Sequence, residues 1–306
     1  MQSNLYKLWN RMSSGSYFPP PVKRVQIDKR DGGKRPLGIP TVSDRVAQAV
    51  VKGYLEPDLE KHFHPDSFGY RPGKSALDAV GVARQRCWRH PFVLDLDIRT
   101  YFDSISHELL LKAIRKHTDC ARALLYIERW LKAPVQLEDG THEPREKGTP
   151  QGSVVSPLMA NLFLHYAFDM WMRRNHPSIP FERYADDILC HCDSERQAQD
   201  LKEALAKRFA ECGLELHPDK TKIVYCKDDD RRGDYPEQKL TFWATRSAPV
   251  VRRTVGESTS STSAPVSAMP RRRQSDRKSV PGNYAAGWIR GSTTWRGCST
   301  RSFEVG

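Results

Sequence analysis

The sequence predicts an α+β fold in which a split β-α-β-β-α-β sheet begins at Phe92 and an irregular tail closes the chain. Strand-like and helical stretches alternate in that order from Phe92 onward. Periodic apolar segments fill residues 1–242, whereas residues 243–306 are rich in Ser, Thr, Pro and Arg and have no amphipathic period. We therefore expect a folded part followed by a disordered tail.

Helices are predicted where a side chain that accepts hydrogen bonds from first-turn amides precedes an apolar periodic stretch. Ser43, Ser106 and Ser194 are the predicted N-caps of three helices, and Gly213 is the predicted residue after the last of them. SALDAVGVARQRCW is a further amphipathic helix. SVVSPLMANLFLHYAFDMWMRR is one long, mostly apolar helix that we assign to the core.

Strands are predicted where residues that favour β-structure are bounded by turn residues. FVLDLDI is the first strand of the split sheet, and APVQLEDGTHE is a hairpin that turns at Asp139-Gly140. FERYADDILCHC gives two short strands with a turn at residues 185–187. LELHPDKTKIVYC gives one or two more strands, which complete the β-α-β-β-α-β order.

Composition restricts the class of protein. No apolar run is as long as a membrane span and the N-terminus lacks a signal-peptide pattern, so we expect a cytoplasmic protein without a membrane partner. The seven cysteines are scattered, which favours reduced thiols over a zinc site or disulfides. The net charge of +12 suggests a polyanionic partner, but residues 243–306 hold ten Arg, one Lys and only three acids. Bulk charge is therefore weak support for such a partner.

Three carboxylates are the candidate catalytic groups. Asp97 ends the first strand, and Asp186 and Asp187 lie at the hairpin turn of RYADDILC, so a split sheet brings all three to one edge. Adjacent carboxylates in an apolar setting are unfavourable unless a cation neutralises them, and oxygen ligands suit Mg²⁺. The alternative is an ordinary turn, because Asp tolerates turn geometry. Asp95 and Asp103 flank Asp97, so spacing alone does not select it.

Six blocks in a fixed order resemble the fingers and palm of reverse transcriptases, most closely those of the group II intron-encoded or retron type. They are KRPLGIPTVSDRVAQAVV, SFGYRPGKSALDAV, FVLDLDIRTYFDSI, GTPQGSVVSPLMANLFLHYAFD, RYADDIL with the YADD motif, and GLELHPDKTKIV. The resemblance implies fingers over residues 1–91 and a palm over residues 92–242. It implies an RNA-directed DNA polymerase that adds deoxynucleotides to a primer 3′ end by two-metal phosphoryl transfer.

The resemblance also implies roles for single residues. Asp97, Asp186 and Asp187 would hold two Mg²⁺ ions, and Lys220 would lie near the triphosphate and protonate the leaving pyrophosphate. The implied nucleotide-binding residues are Lys34, Arg35, Arg71, Phe102, Gln151, Gly152 and Tyr184. Phe102 falls where the family excludes a ribose 2′-hydroxyl, and Tyr184 would pack near the primer end. Two alternatives stay open: Lys34 on a solvated hairpin, and Arg71 in a structural salt bridge.

The implied partners are an RNA template with a DNA or RNA primer, deoxynucleoside triphosphates and intron RNA. Two other functions stay open: a non-catalytic, maturase-like remnant that binds intron RNA, and another palm enzyme such as a nucleotide cyclase. The finger blocks and TPQGSVVSP argue against the cyclase. A degraded protein without any activity is a further alternative.

The family pattern ends at Phe242 in our reading, and we expect a chain truncated at both ends. Restoring one base before the Trp243 codon shifts the reading frame of the codons for WATRSAP. In the shifted frame the second codon must encode glycine, and the other codons permit the sequence LGYTFRP, which is the family's primer-grip hairpin. We therefore hypothesise that residues 243–306 are out-of-frame translation in place of hairpin and thumb. The alternative is a genuine low-complexity tail. Without a thumb, we expect weak or no processive activity.

Overall fold

A computed structural model describes residues 2–28, 32–227, 231, 233 and 235–238. The expected disorder and frame change over residues 243–306 lie outside the described residues and stay predictions. The elements follow in chain order: α1 (Gln2–Ser13), β1 (Val22–Asp28), β2 (Lys34–Ile39), α2 (Val42–Leu59), α3 (Ala76–Cys87), β3 (Phe92–Leu96), α4 (Tyr101–Ser104), α5 (His107–Ile114), α6 (Ala121–Lys132), β4 (Val135–Gln136), β5 (His142–Glu143), α7 (Ser156–Leu164), a π-helical segment (His165–Asp169), α8 (Met170–Asn175), β6 (Phe181–Tyr184), β7 (Asp187–Cys192), α9 (Glu195–Glu211) and β8 (Lys222–Tyr225).

The predicted split sheet is confirmed. Its strands lie in the order β6-β7-β3-β8, and every neighbouring pair is antiparallel. The first strand of the unit therefore lies beside the second strand of the central hairpin, as the β-α-β-β-α-β order requires. One consequence is that the end of β3 and the β6–β7 turn meet at one edge of the sheet.

A second sheet lies in the N-terminal part, in the order β2-β1-β4-β5. Its inner strand β1 pairs antiparallel with β2 and parallel with β4, and the β4–β5 hairpin turns at Gly140, where φ is +86°. The hairpin predicted at Asp139-Gly140 is therefore confirmed. Because β4 and β5 come from residues 135–143, this sheet joins chain segments from both sides of residue 91.

Most predicted helix ends agree with the structure. Ser106 and Ser194 accept hydrogen bonds from the amides of Leu109 and Gln197, and Gly213 follows α9 with φ +74°. The predicted N-cap Ser43 is wrong, because Ser43 already lies inside α2. Thr41 is the cap: its backbone is extended and its Oγ1 accepts from the Asp44 amide at 3.3 Å.

The long apolar helix is interrupted at His165–Asp169 by a π-helical segment between α7 and α8. Such a segment frees backbone carbonyls from the regular ladder. Arg208 of α9 donates to two of the carbonyls there, those of Tyr166 at 3.2 Å and Ala167 at 3.1 Å. Eight of the nine residues of α7 are buried, which fits its predicted place in the core.

The split sheet is covered on both faces. Leu94, Leu96 and Ile188 belong to the main core together with the π segment and α9, which contribute Phe168 and Phe209. The opposite face carries a smaller cluster in which Val93 and Leu189 join Ala79 and Ala83 of α3. Alternation along the strands explains this division.

Among the residues that the structure describes, no helix has the length and apolar character needed to cross a membrane. Five cysteines are free and buried: Cys87, Cys190, Cys192, Cys212 and Cys226. Cys120 is disulfide-bonded, so the expectation of reduced thiols is wrong at that residue.

Candidate active site

Three predicted carboxylates meet where β3 ends and β7 begins. Leu96 pairs with Ile188 in the antiparallel register, so Asp97 and Asp187 come next to each other at the sheet edge. Asp187 pairs with Tyr184 across a two-residue turn formed by Ala185 and Asp186. The turn expected at residues 185–187 is therefore present, with Asp187 already in the strand.

Burial and mutual repulsion disfavour the ionised forms of these acids. Burial first, and then the charges of Asp186 and Asp97, raise the pKa of Asp187 to about 7. Burial also raises the pKa of Asp186, against the charges of Arg35 and Arg183. The site therefore favours protons or cations over free carboxylates.

Asp95 is a fourth acid whose charge interacts with those of Asp97 and Asp187, and the sequence did not single it out. It lies on β3, two residues before Asp97, which directly follows the last residue of that strand. Burial, followed by the charges of Asp187 and Asp97, raises its pKa to about 7. The flanking position of Asp95 in the sequence was the available signal, but spacing does not reveal which acid reaches the edge.

The donor set fits a hard divalent cation in charge and chemistry, since it offers buried carboxylate oxygens that repel one another. Across the described ranges, no three or more His, Cys, Asp or Glu side chains already gather around one possible metal position. The chemical fit is thus present without a closed cage of ligands. Asp97, Asp186 and Asp187 are the residues that would hold an ion.

Two of the predicted cationic residues, Lys220 and Arg35, interact electrostatically with the acids. Lys220 Nζ lies 3.7 Å from Asp97 Oδ2, and the charges of Lys220 and Arg35 both oppose the rise in the pKa of Asp187. Arg35 Nε donates to Gln151 Oε1 at 2.7 Å, which joins two predicted nucleotide-binding residues. Lys34 is exposed at the start of β2. This exposure fits the solvated-hairpin alternative.

Gly152 and Phe102 lie around the same loop, residues 149–154. Gly152 has φ +106°, and a Cβ there would lie 2.7 Å from the carbonyl oxygen of Gly38. The close approach that requires glycine is therefore to the backbone of β2. Phe102 is buried, and its carbonyl accepts from the Thr149 amide at 2.7 Å.

Tyr184 ends β6 directly before the acidic turn. Its ring lies 6.4 Å from that of Tyr70, measured between centroids. Tyr70 is about half exposed, at 49%. The two rings therefore form an aromatic surface beside Asp186 and Asp187.

Arg71, one of the predicted nucleotide-binding residues, is bound to other groups of the protein. Its Nε donates to Glu60 Oε2 at 2.9 Å, and one terminal nitrogen donates to the carbonyls of His64 and Ser67, both at 2.8 Å. The guanidinium also lies over the Phe63 ring. With only 7% of its side chain exposed, Arg71 forms the structural salt bridge of the alternative interpretation.

Gln48 is a supporting residue that the sequence did not single out. Its Oε1 accepts from Ser153 Oγ at 2.5 Å and from the Val154 amide at 2.8 Å, so α2 holds the loop that follows Gln151 and Gly152. Its Nε2 donates to Asp44 Oδ2 at 2.8 Å. Asp44 in turn accepts from Trp130 and Tyr17. A buried glutamine in an amphipathic helix gives no sequence signal of such a role.

Comparison with known proteins agrees with this arrangement. The sequence profile of the family described as reverse transcriptase (RNA-dependent DNA polymerase) matches residues 27–263. Protein YkfC of Escherichia coli K12 is 31% identical over 258 residues, covering 72% of this chain and 68% of YkfC. The group II intron-encoded protein LtrA of Lactococcus lactis subsp. cremoris is 34% identical, over 54% of this chain and 27% of LtrA.

The chain belongs to the reverse transcriptase family and, by these relatives, to its group II intron type. Enzymes of this family are nucleotidyltransferases that generally use divalent metal ions. The chain spans about a quarter of LtrA. The match to the family continues to residue 263, past Phe242, where our reading of the sequence ended the resemblance.

The fold agrees as well. A telomerase structure from Candida albicans superposes with a TM-score of 0.56 and 14% identity, covering 78% of this chain and 47% of the telomerase. At this identity the likeness concerns the fold. It supports the predicted α+β architecture of reverse-transcriptase type.

Proposed function

We propose that this chain catalyses the RNA-templated addition of deoxynucleotides to a primer 3′ end. The observation that carries the proposal is the meeting of Asp97, Asp186 and Asp187 at one sheet edge. Two Mg²⁺ ions are the proposed cofactors; when bound, they supply electrostatic stabilisation of an in-line phosphoryl displacement. Asp97, Asp186 and Asp187 would hold them.

Other residues of the chain would bind the triphosphate, protonate the leaving group and select the sugar. Arg35 is fixed by Gln151 and contributes positive charge toward the acids, which suits a triphosphate. Lys220, whose Nζ lies 3.7 Å from Asp97 Oδ2, would donate a proton to the leaving pyrophosphate. Phe102 is buried, and its carbonyl accepts from the Thr149 amide of the loop at residues 149–154; we propose that it selects deoxynucleotides.

The proposed partners are an RNA template with a DNA or RNA primer, deoxynucleoside triphosphates and intron RNA. The cytoplasmic location and the weak processivity stay predictions. Primer extension on an RNA template with Mg²⁺ tests the activity, and the test compares the natural sequence with Asp186→Asn and with Asp200→Asn on the exposed face of α9. We expect Asp186→Asn to lose at least about a hundredfold in rate and Asp200→Asn to lose none.

Equal extension by the natural sequence and Asp186→Asn would contradict the proposed chemistry, as would no extension by the natural sequence at single-nucleotide resolution. The second candidate function is maturase-like RNA binding without catalysis. It is favoured by similarity to the nuclear intron maturase 4 of Arabidopsis thaliana, 25% identical over 70% of this chain. Tight binding of intron RNA that Asp186→Asn leaves unchanged, without any extension, would support that second function.

A further inference from the structure

A buried arginine, Arg183, holds the turn that carries Asp186 and Asp187. Arg183 and Asp169 are completely buried and form a two-pronged ion pair, in which Nε and one terminal nitrogen of Arg183 each lie 2.8 Å from an Asp169 oxygen. The other terminal nitrogen donates to the Ala185 carbonyl at 2.9 Å and to Asn161 Oδ1 at 3.0 Å. We call Asn161, Asp169 and Arg183 the turn clamp.

The turn needs such support because its backbone is strained. Ala185 has φ +59°, a left-handed conformation that is unfavourable for a residue with a Cβ. The hydrogen bond from Arg183 holds the Ala185 carbonyl in the orientation that goes with this conformation. Asp186 and Asp187 follow directly, so their direction depends on it.

A second contact holds the turn from the other side. A Cβ on Gly69 would lie 2.2 Å from the Ala185 amide nitrogen, so the Gly69 backbone presses directly against the turn. Asn161 Nδ2 donates to the Gly69 carbonyl at 2.6 Å. Asn161 therefore connects both supports, Arg183 and Gly69, in one buried network.

A buried ion pair is not in itself a device for stability, because desolvation offsets most of its attraction. Its geometric effect is clearer here, since one planar guanidinium fixes Asp169, Asn161 and the turn at once. We infer that Arg183 is a positioning residue that sets the orientation of the metal-binding carboxylates Asp186 and Asp187. This inference rests on the proposed function.

The substitution Arg183→Lys tests the inference. Lysine keeps the charge beside Asp169 but lacks the fork that reaches Ala185 and Asn161. The matched control is Arg208→Lys, because Arg208 donates to the carbonyls of Tyr166 and Ala167 on the same π segment and does not contact the turn. Thermal unfolding of each variant checks folding. If Arg183→Lys fails to unfold cooperatively, Arg183→Met with Asp169→Leu replaces it, because that pair leaves no unpaired buried charge.

The primary measurement is binding of Mn²⁺ alone, followed by electron paramagnetic resonance without nucleic acid or nucleotide. We expect Arg183→Lys to weaken the Asp186-dependent binding by about tenfold or more, as supports of metal ligands commonly do, while Arg208→Lys matches the natural sequence. Affinity of Arg183→Lys within about twofold of the natural sequence would overturn the inference.

A second measurement separates the inference from the proposed function. If the natural sequence shows no Mn²⁺ binding that depends on Asp186, the proposed metal site fails, and the positioning role is decided by hydrogen exchange at the amides of Asp186 and Asp187. Those amides should exchange about tenfold faster in Arg183→Lys than in Arg208→Lys. Equal exchange would refute the positioning role.

Discussion

Asp187 combines three effects at a single carboxylate: burial, repulsion from Asp186 and Asp97, and partial relief by Lys220 and Arg35. The repulsive effects exceed the relief, since its pKa rises to about 7 from an ordinary value of 3.8. Without a bound cation the ionised side chain therefore destabilises the fold. The same property makes the position suitable for a cation, which removes the repulsion.

This imbalance predicts how stability depends on pH in protein kept free of divalent metal by a chelator. A carboxyl whose pKa is higher in the folded chain than in the unfolded chain destabilises the fold above the unfolded value, and fully so above about 7. Asp187→Asn should therefore raise the free energy of unfolding by about 1–2 kcal/mol at pH 8 and change it little near pH 4. Urea unfolding at both pH values measures this, with Asp200→Asn as control. A gain that is equal at both pH values would exclude the titration as its cause.

Residues whose positions follow from strand order could be placed from the sequence. Asp97, Asp186 and Asp187 meet as expected because strand order alone brings them together. Arg71 could not be assigned, since whether an arginine faces a ligand or a neighbouring carboxylate depends on the fold around it. Asp95 was ambiguous for the same reason.

At the scale of single elements, the loop at residues 149–154 is shaped by its neighbours more than by its own sequence. Its Gln151 carbonyl accepts from the Gly38 amide of β2 at 2.7 Å, and Gln48 of α2 holds its other end. The loop therefore takes its position from β2 and α2. We expect its proposed nucleotide contacts to weaken when either support is removed.

Gln48→Leu removes the second support. It leaves the Val154 amide without its partner, so the loop should loosen and the stability should fall by about 1–3 kcal/mol. In primer extension, KM for the deoxynucleotide should rise several-fold with a smaller change in kcat, because Gln48 bonds to Asp44, Ser153 and Val154 and not to the candidate catalytic acids. Gln197→Leu at the N-terminus of α9 is a control. An unchanged KM in a variant that has lost stability would limit Gln48 to a structural role.

Element prediction failed where several residues satisfy one rule. Thr41 and Ser43 both carry a hydroxyl near the start of α2, and only backbone geometry shows that Thr41 is the cap. The π segment was hidden because α7, which leads into it, is buried at eight of its nine residues, so no contrast between a buried and an exposed face marks an extra residue. Isolated amphipathic helices such as α9 were predictable because their periodic pattern is clear.

At the scale of the whole molecule, the two sheets are tied together by several segments. Strands β4 and β5 complete the N-terminal sheet, although they come from the chain between α6 and α7. Asp44 of α2 accepts a hydrogen bond from Trp130 of α6 at 2.7 Å in the buried interior. The predicted fingers at residues 1–91 and palm at residues 92–242 thus share a sheet and a polar network.

This sharing predicts that fingers and palm unfold as one cooperative unit. Heat denaturation followed by tryptophan fluorescence and by far-ultraviolet circular dichroism should give coincident transitions. Trp130→Phe, which removes the donor to Asp44, should lower the common midpoint without separating the two curves. Two resolved transitions would show that the parts are independent domains.

The π segment has a consequence for the spacing of the chain itself. A π turn amounts to one residue inserted into an α-helix, and its wider winding absorbs that residue so that the helix on either side keeps its orientation. If His165–Asp169 were wound as a regular α-helix with the same number of residues, everything after the segment would be rotated by about 100°, and Asp169 would point away from Arg183. The π turn and the number of residues between Asn161 and Asp169 therefore together determine where the carboxylate that anchors the turn lies.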